Sequence, residues 1–382
     1  MQRNTKKLFI VVNVDWFFLS HRLPIAIAAN AAGYDVTVVC NDTGYADEIR
    51  KYDLNFIDSP FTRSGTNIFE ELSIVRFLTK LYKKHNPDII HHVTLKPAIY
   101  GSLAAKRAKI GNVINAISGL GYNFTNGRKG IKQSILNLLL KKSFRSQKLH
   151  FIFQNPDDLA IFKHMGLIKN ESKIHIIKGS GVNLSEFVFR EEPAGNKLQI
   201  LLPARMLYDK GVAEFIMAAK KLKEQYHDVV SFNLAGSIDL NNPAAISETD
   251  LNKLLDPPYI NWIGYQKEMD KVLAANHIVV LPSYREGLPK SLIEACAIGR
   301  PIITTDAPGC RECVRVDYNG FLVPVKDHVL LAQYLEKLIN NRELRVTMGH
   351  NSRKMAEDEF SIENVVKSTL NIYSLMLNTN SL

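Results

Sequence analysis

Cysteine is scarce, at four residues in 382. So few in so long a chain make no disulfide framework. Cys310 and Cys313 form a lone CxxC, with Cys40 and Cys296 far away. A zinc site would need a second pair or histidines at matching spacing, and the histidines form no HExxH or similar cluster, so no metal is expected. This usage fits a reducing, cytoplasmic protein. Long apolar runs are missing too: none approaches the roughly 18–20 residues needed to span a bilayer. The opening Lys6–Asn13 mimics a signal peptide, but Asn13 and Asp15 cut its apolar stretch short and no small-residue cleavage site follows. It reads as a first buried strand. Glycine-rich phosphate loops are absent as well. No GxGxxG follows the first expected strand of either half, no Walker A sequence occurs, and Gly119-Leu-Gly121 lacks a third glycine. A nicotinamide dehydrogenase or a P-loop NTPase is thereby disfavoured.

Acidic residues are lacking in one region. From Ile89 to Pro156 there is none, while eleven basic residues fall between Lys96 and Lys148. Residues 1–190 hold 27 Lys and Arg against 14 Asp and Glu, and residues 191–382 hold 21 against 24, within a net charge of +10. The first half therefore calls for an anionic partner: nucleic acid, an anionic membrane surface or a phosphorylated substrate on charge alone. No helix-turn-helix, RNP or zinc-finger pattern accompanies the charge, which ranks nucleic acid low.

What is present is an alternation of short β-branched runs with helical patterns in both halves, the signature of parallel sheets covered by helices. Strands are expected at Leu8–Val12, Asp35–Cys40, Asn55–Asp58, Asp88–His92, Asn112–Ala116, His150–Phe153 and Lys173–Ile177. A second set is expected at Leu198–Leu202, Val230–Ala235, Tyr259–Ile263, His277–Leu281, Pro301–Thr304 and Phe321–Val323. A polar linker, Glu191-Glu-Pro-Ala-Gly-Asn196, separates a first domain at 1–186 from a second at 197–360. A C-terminal helix at 361–382 is expected to pack back on the first domain. Two doubly wound α/β domains facing each other across a cleft suit a reaction joining two substrates, because closure excludes water.

The segment Glu286-Gly-Leu-Pro-Lys-Ser-Leu-Ile-Glu294 sets two carboxylates eight positions apart across a strand-to-helix junction. Ile278–Leu281 reads as the strand, and Pro289 stands near the first helical turn, where a missing N–H costs nothing. In open α/β sheets this crevice binds ligands, and helix N–H groups there favour phosphates. Pro203-Ala-Arg205-Met-Leu-Tyr-Asp-Lys210-Gly211 puts two cations at the end of another strand, placed to clamp a diphosphate.

Arg205 and Lys210 followed by Glu286–Glu294 resemble the retaining glycosyltransferases of family four, which have the GT-B architecture. The resemblance covers essentially the whole chain, including Gly181-Val-Asn183, Gly264 and Thr305-Asp-Ala-Pro-Gly-Cys-Arg-Glu312. It implies that Arg205 and Lys210 neutralise a nucleotide diphosphate without a metal or other cofactor, and that Glu294 accepts the ribose hydroxyls. Glu286 would face the donor sugar. Backbone N–H groups around Gly287, Leu288, Pro289 and Lys290 would complete the phosphate cradle, with Gly264 and Tyr265 near the base. Many relatives carry a histidine after the fifth strand; here the segment is Asn115–Gly121, with Ser118 or backbone groups in its place.

Trp16–Pro24 and His91–Gly101 resemble bacterial enzymes that extend sugars on polyprenyl diphosphate. This makes His21, Arg22 and Lys96 candidates for the acceptor's diphosphate. Trp16, Phe17 and Phe18 either touch lipid or begin a helix's packing. Residues Arg128–Lys142 set Ile131, Ile135, Leu138 and Leu139 along one helical stripe with cations around it and Lys142 on the apolar side. That is the form of an interfacial helix on an anionic leaflet, or of a packed helix with a basic rim. The resulting expectation is a UDP-sugar-dependent transferase of surface-polysaccharide assembly at the inner membrane face. A GT-B epimerase or phosphorylase, or a non-catalytic nucleotide-sugar-binding protein, are the competing readings.

Overall fold

The computed structural model describes residues 5–61, 68–120, 131–195, 197–240 and 242–378 (backbone alone at 68–70 and 131–135). The chain divides into two units, Met1–Ser180 with Glu363–Leu382, and Gly181–Ile362.

In the first unit, seven strands form a wholly parallel sheet: β1 (Lys6–Val14), β2 (Tyr34–Asn41), β3 (Asn55–Asp58), β4 (Ile89–Val93), β5 (Val113–Ile117), β6 (His150–Phe153) and β7 (Ile174–Ile176). Their order is β3-β2-β1-β4-β5-β6-β7. Parallel neighbours need crossover helices, and helices on both faces bury the central strands, which is why β4 and β5 are buried along their full length. The period of two is visible in β1. Phe9 and Val11 join a core with Leu78, Tyr82 and Phe153, and Leu8, Ile10 and Val12 join one on the other face with Val36, Val38 and Tyr373. Tyr373 belongs to the final helix, Ile362–Asn378, whose Val365, Ile372, Tyr373 and Met376 sit in that second core.

The second unit repeats the design with six strands: β8 (Leu198–Pro203), β9 (Val230–Ala235), β10 (Ile260–Trp262), β11 (Ile278–Leu281), β12 (Ile302–Thr305) and β13 (Gly320–Val323). Their order is β10-β9-β8-β11-β12-β13. The segments entering and leaving this unit lie against each other. Val182 N–H donates to the Phe360 carbonyl at 2.8 Å, and Ile362 N–H donates to Val182 at 3.0 Å. Gly181 permits that approach, since a Cβ there would stand 2.6 Å from the Ile362 Cα.

Strand order reverses between β1 and β4, and again between β8 and β11. At such a switch point the loops leaving adjacent strands diverge to opposite faces, opening a crevice at the carboxyl edge.

At the helices of the first unit one open alternative is decided and one expectation changes. Phe18 is fully buried against Leu8 and Ile10, so it packs rather than meets lipid, while Trp16 is exposed. In the helix Ile131–Ser143 the buried stripe passes through Leu140, with Leu136 and Leu139 beside it, because Leu140 fits against Phe144 and Leu149. Leu138 is left 67% exposed. Lys142 is exposed rather than on the apolar side. The expected members Ile131 and Ile135 have side chains outside the described residues, as do all of Gly121 and Arg128. No helix among the described residues is long and apolar enough to cross a membrane.

Candidate active site

The loop leaving β8 carries Arg205 and Lys210, and its course is fixed by close backbone packing. Gly236, at the end of β9, has φ +154°, and a Cβ there would stand 1.9 Å from the Ala204 carbonyl oxygen. Only glycine lets the two loops meet. Beyond it, Met206 N–H donates to Ser237, Ile246 N–H to Met206, and Tyr208 N–H to Ala244. This lacing brings Asp239 to Arg205, whose Nη1 lies 2.5 Å from Asp239 Oδ2. Arg205 is half-exposed whereas Asp239 is nearly covered. Sequence reasoning missed Asp239. Its only signal was a carboxylate three residues beyond a strand-end glycine.

Lys210 meets Glu286 across the switch point, Nζ to Oε1 at 2.5 Å. The backbone enforces this contact from both sides. Gly211 sits at φ +75°, where a Cβ would strike the Pro282 carbonyl at 2.2 Å. The Asp209 carbonyl accepts from Tyr284 N–H at 2.9 Å and from Ser283 Oγ at 3.1 Å. Thr305 Oγ1 donates to the Ser283 carbonyl. Glu286 N–H donates to Pro308 at 2.9 Å. Gly309, at φ +77°, presses on the carbonyls of Glu286 and Gly287, 2.4 and 2.5 Å from where its Cβ would be. Three loops, following β8, β11 and β12, are thus tied into one support. The nearby Cys310 thiol is pushed up to about 12, chiefly by burial and then by the Glu286 charge.

The helix Lys290–Ile298 begins after Pro289, which holds extended backbone at its cap. The Pro289 carbonyl accepts from the N–H groups of Leu292 at 3.1 Å and Ile293 at 3.3 Å, starting the helix. Leu288 is buried beneath this turn. Glu294 is also buried, in the second turn, and burial pushes its carboxyl up to about 7. Lys290, with Nζ 3.5 Å from Oε1, partly opposes that shift, and the Glu186 charge adds to it. A buried carboxyl at the carboxyl edge of a sheet can accept hydroxyl hydrogen bonds, which would favour its charged form. Gly264 follows β10 at φ +69° with open space where a Cβ would be, and its carbonyl accepts from Gly236 N–H at 2.8 Å. Tyr265 beside it is largely exposed.

The first unit places its candidates at the equivalent edge. Arg22 follows β1 and Ser118 follows β5, and Arg22 Nη2 donates to Ser118 Oγ at 3.2 Å. Arg22 is buried, which pulls its guanidinium down to about 10, and its Nε has no hydrogen-bond partner among the described residues. His21 is set apart from them. Its ring stacks on Phe17 with centroids 4.2 Å apart, and Nδ1 lies 2.6 Å from Ser20 Oγ. Lys96, after β4, pairs with Glu71 at 3.0 Å. Asp15 is a buried acceptor that gathers the N–H groups of Trp16, Thr43 and Tyr45, and so fixes the β1 loop. His91 and His92 are both buried. His91 Nδ1 bonds the Tyr373 hydroxyl at 2.6 Å, and His92 bridges Tyr82 and Asn115. Burial holds His91 well below the usual histidine range, with the Arg22 charge adding to the effect. Tyr373 could not have been foreseen, since 282 residues separate it from His91. Among the described residues, no group of three or more His, Cys, Asp or Glu could hold a metal ion.

The sequence matches the family models described as "Glycosyl transferases group 1" over residues 185–355 and "Glycosyl transferase 4-like" over residues 7–154. It is 31% identical over 361 residues to the N,N'-diacetylbacillosaminyl-diphospho-undecaprenol alpha-1,3-N-acetylgalactosaminyltransferase of Campylobacter jejuni, covering 89% of this chain and 93% of that one. The UDP-Gal:alpha-D-GlcNAc-diphosphoundecaprenol alpha-1,3-galactosyltransferase of Escherichia coli is 24% identical, with 89% of each chain covered. Among solved structures, a glycosyltransferase from Rickettsia africae superposes with a TM-score of 0.78 at 20% identity, over 98% of this chain and 99% of that one. Anabaena Alr3699/HepE, in complex with UDP and glucose, superposes with a TM-score of 0.76 at 16% identity, over 97% and 100%. Two Rossmann-like units, two matching family models and a full-length relative place the chain in one family: it belongs to the family-four glycosyltransferases of GT-B fold.

Proposed function

We propose that this glycosyltransferase moves a hexose or N-acetylhexosamine from a UDP-sugar to a polyprenyl-diphosphate-linked saccharide in surface-polysaccharide assembly. It would retain the anomeric configuration and need no metal. The observation that carries this reading is the set of Arg205, Lys210, Glu286 and Glu294 on the segments leaving β8 and β11 at their switch point, with Lys210 already fixed against Glu286. The acceptor class is supported by the Campylobacter jejuni and Escherichia coli relatives, both named for transfer to diphosphoundecaprenol-linked sugars. The donor nucleotide is supported by the second of those names and by the UDP seen in the Anabaena protein.

Arg205 and Lys210 supply two positive charges for the diphosphate as negative charge grows on it, and positioned charge of this kind is usually the largest contribution to such a rate. The N-terminus of the helix Lys290–Ile298 adds to the cradle together with the turn formed by Gly287, Leu288 and Pro289. Glu294 accepts from the ribose hydroxyls, while Gly264 and Tyr265 line the base. Glu286, oriented by Lys210, faces the sugar and stabilises positive charge at the anomeric carbon. The acceptor hydroxyl forms its bond to that carbon on the face the diphosphate leaves. As the carbon–oxygen bond to phosphate breaks, the hydroxyl proton passes to the departing phosphate, giving UDP and the extended saccharide. Arg22 with Ser118, together with His21 and Lys96, would hold the acceptor's diphosphate. The enzyme would work peripherally on the inner face of the cell membrane.

The test offers a panel of nucleotide sugars with a short polyprenyl-diphosphate saccharide and reads products by mass spectrometry. Expected results are a product one sugar heavier, UDP released only when acceptor is added, and activity unchanged by EDTA. Lys210→Ala and Glu294→Ala should abolish transfer with the circular dichroism spectrum intact. Release of UDP without acceptor, or sugar isomerisation without transfer, would refute the reading.

A further inference from the structure

Four lysines of the first unit converge where its strands begin, at the sheet edge opposite the candidate site. Lys106 and Lys109 end the helix Leu95–Ala108, Lys142 lies in the last turn of Ile131–Ser143, and Lys148 precedes β6. With Ser102 and Ser143 among other residues, they line a hollow of about 270 Å³. No carboxylate lines it, because the whole wall comes from the acid-free stretch 89–156. None of these four ammonium groups forms an ion pair among the described residues, whereas Lys6, Lys51, Lys96 and Lys163 of the same unit each hold a carboxylate.

Helix ends explain part of the clustering. Each carbonyl terminus carries about half a negative charge, so two termini leave about three positive charges uncompensated. Lys109 adds a backbone peculiarity. It occupies the left-handed cap of its helix at φ 62°, a position that glycine fills without strain. Four like charges around one hollow repel each other, and an anion between them removes that repulsion. Ammonium groups and hydroxyls together suit an oxygen-rich, multiply charged group better than a single carboxylate.

We propose that this hollow, formed by Ser102, Lys106, Lys109, Lys142, Ser143 and Lys148, binds a phosphate monoester, carried either by a lipid headgroup or by a small soluble molecule. None of its lining residues is among the proposed donor or acceptor residues.

Sedimentation of the full chain with phosphatidylcholine vesicles, with and without phosphatidic acid, tests the lipid source. Titration with inorganic phosphate and glycerol 3-phosphate tests the soluble one. Lys142→Gln/Lys148→Gln should lower the affinity for phosphatidic acid vesicles about 30-fold, at the usual worth of two lysines near an anionic surface. Lys142→Arg/Lys148→Arg should restore it. Lys83→Gln/Lys84→Gln removes the same charge from the end of the neighbouring helix Ile68–His85, outside the hollow, and should lower binding clearly less than the Lys142/Lys148 variant does. Binding of soluble phosphate that disappears in the Lys142/Lys148 variant would assign the site to a soluble ligand. Vesicle binding alone would assign it to a lipid. Equal losses in the two glutamine variants would reduce the effect to overall charge, and no binding of either probe would likewise overturn the proposal.

Discussion

Replacing Glu294 by glutamine should make the protein more stable above neutral pH while weakening donor binding. The carboxyl is buried, and its pKa rises from 4.5 to about 7. At about 1.36 kcal/mol per unit, that rise corresponds to about 3 kcal/mol. The sign follows from proton counts. Between pH 4.5 and 7 the folded chain keeps a proton that the unfolded chain has released, so stability falls as pH rises through this window. Above pH 7 the full penalty applies, and below about 4.5 it vanishes. Glutamine cannot ionise and avoids the penalty, which is already net of the partial offset by Lys290. The gain should therefore grow from near zero at pH 4.5 to roughly 3 kcal/mol at pH 8, about 6–12 °C in melting temperature for a unit of this size. Urea unfolding of parent and variant across that pH range measures it. Losing a charged acceptor for hydroxyls should at the same time weaken UDP binding by about 10- to 100-fold. Calorimetry in two buffers of different ionisation enthalpy should show proton release when the parent binds UDP near pH 7, and none for the variant. A stability difference that does not change with pH would refute the argument, whatever happened to activity.

Gly309→Ala would set a Cβ 2.4 Å from the Glu286 carbonyl, in backbone that alanine adopts with strain. Displacing the Glu286 loop by about 1 Å should cut kcat about 100-fold, and a near-normal kcat would show that the loop tolerates movement. Asp239→Asn keeps the shape but removes the charge that holds Arg205, so donor KM should rise roughly tenfold with a smaller effect on kcat; initial-rate kinetics would separate the two. Tyr373→Phe leaves the buried His91 Nδ1 without its partner and should cost about 1–3 kcal/mol of stability, read by urea unfolding of the full chain.

Much of the fold is legible because parallel strands and their helices are local patterns. Buried β-branched runs such as Ile278–Leu281 and Ile89–Val93 announce themselves by composition, and the Glu286–Glu294 spacing is carried by one continuous segment. The helix Ile131–Ser143 was read with a stripe displaced by about one position, because Leu138 and Leu140 are alike in kind and only the neighbours Phe144 and Leu149 select which is buried. The candidate site was legible as residue types and only partly as partnerships. Lys210 and Glu286 stand 76 residues apart, Arg205 and Asp239 34 apart.

By itself the sequence determined the alternation of strands and helices, the excess of positive charge in the first half, and which side chains are candidates for the chemistry, since all of these follow from backbone periodicity and residue identity. Tertiary structure alone decided that Asp239 grips Arg205, that Tyr373 reaches His91, that burial pushes the Glu294 carboxyl up to about 7, and that four lysines share one hollow. Each of these depends on which strands become neighbours and on how much water is excluded between them, and distance and burial are properties of the folded chain.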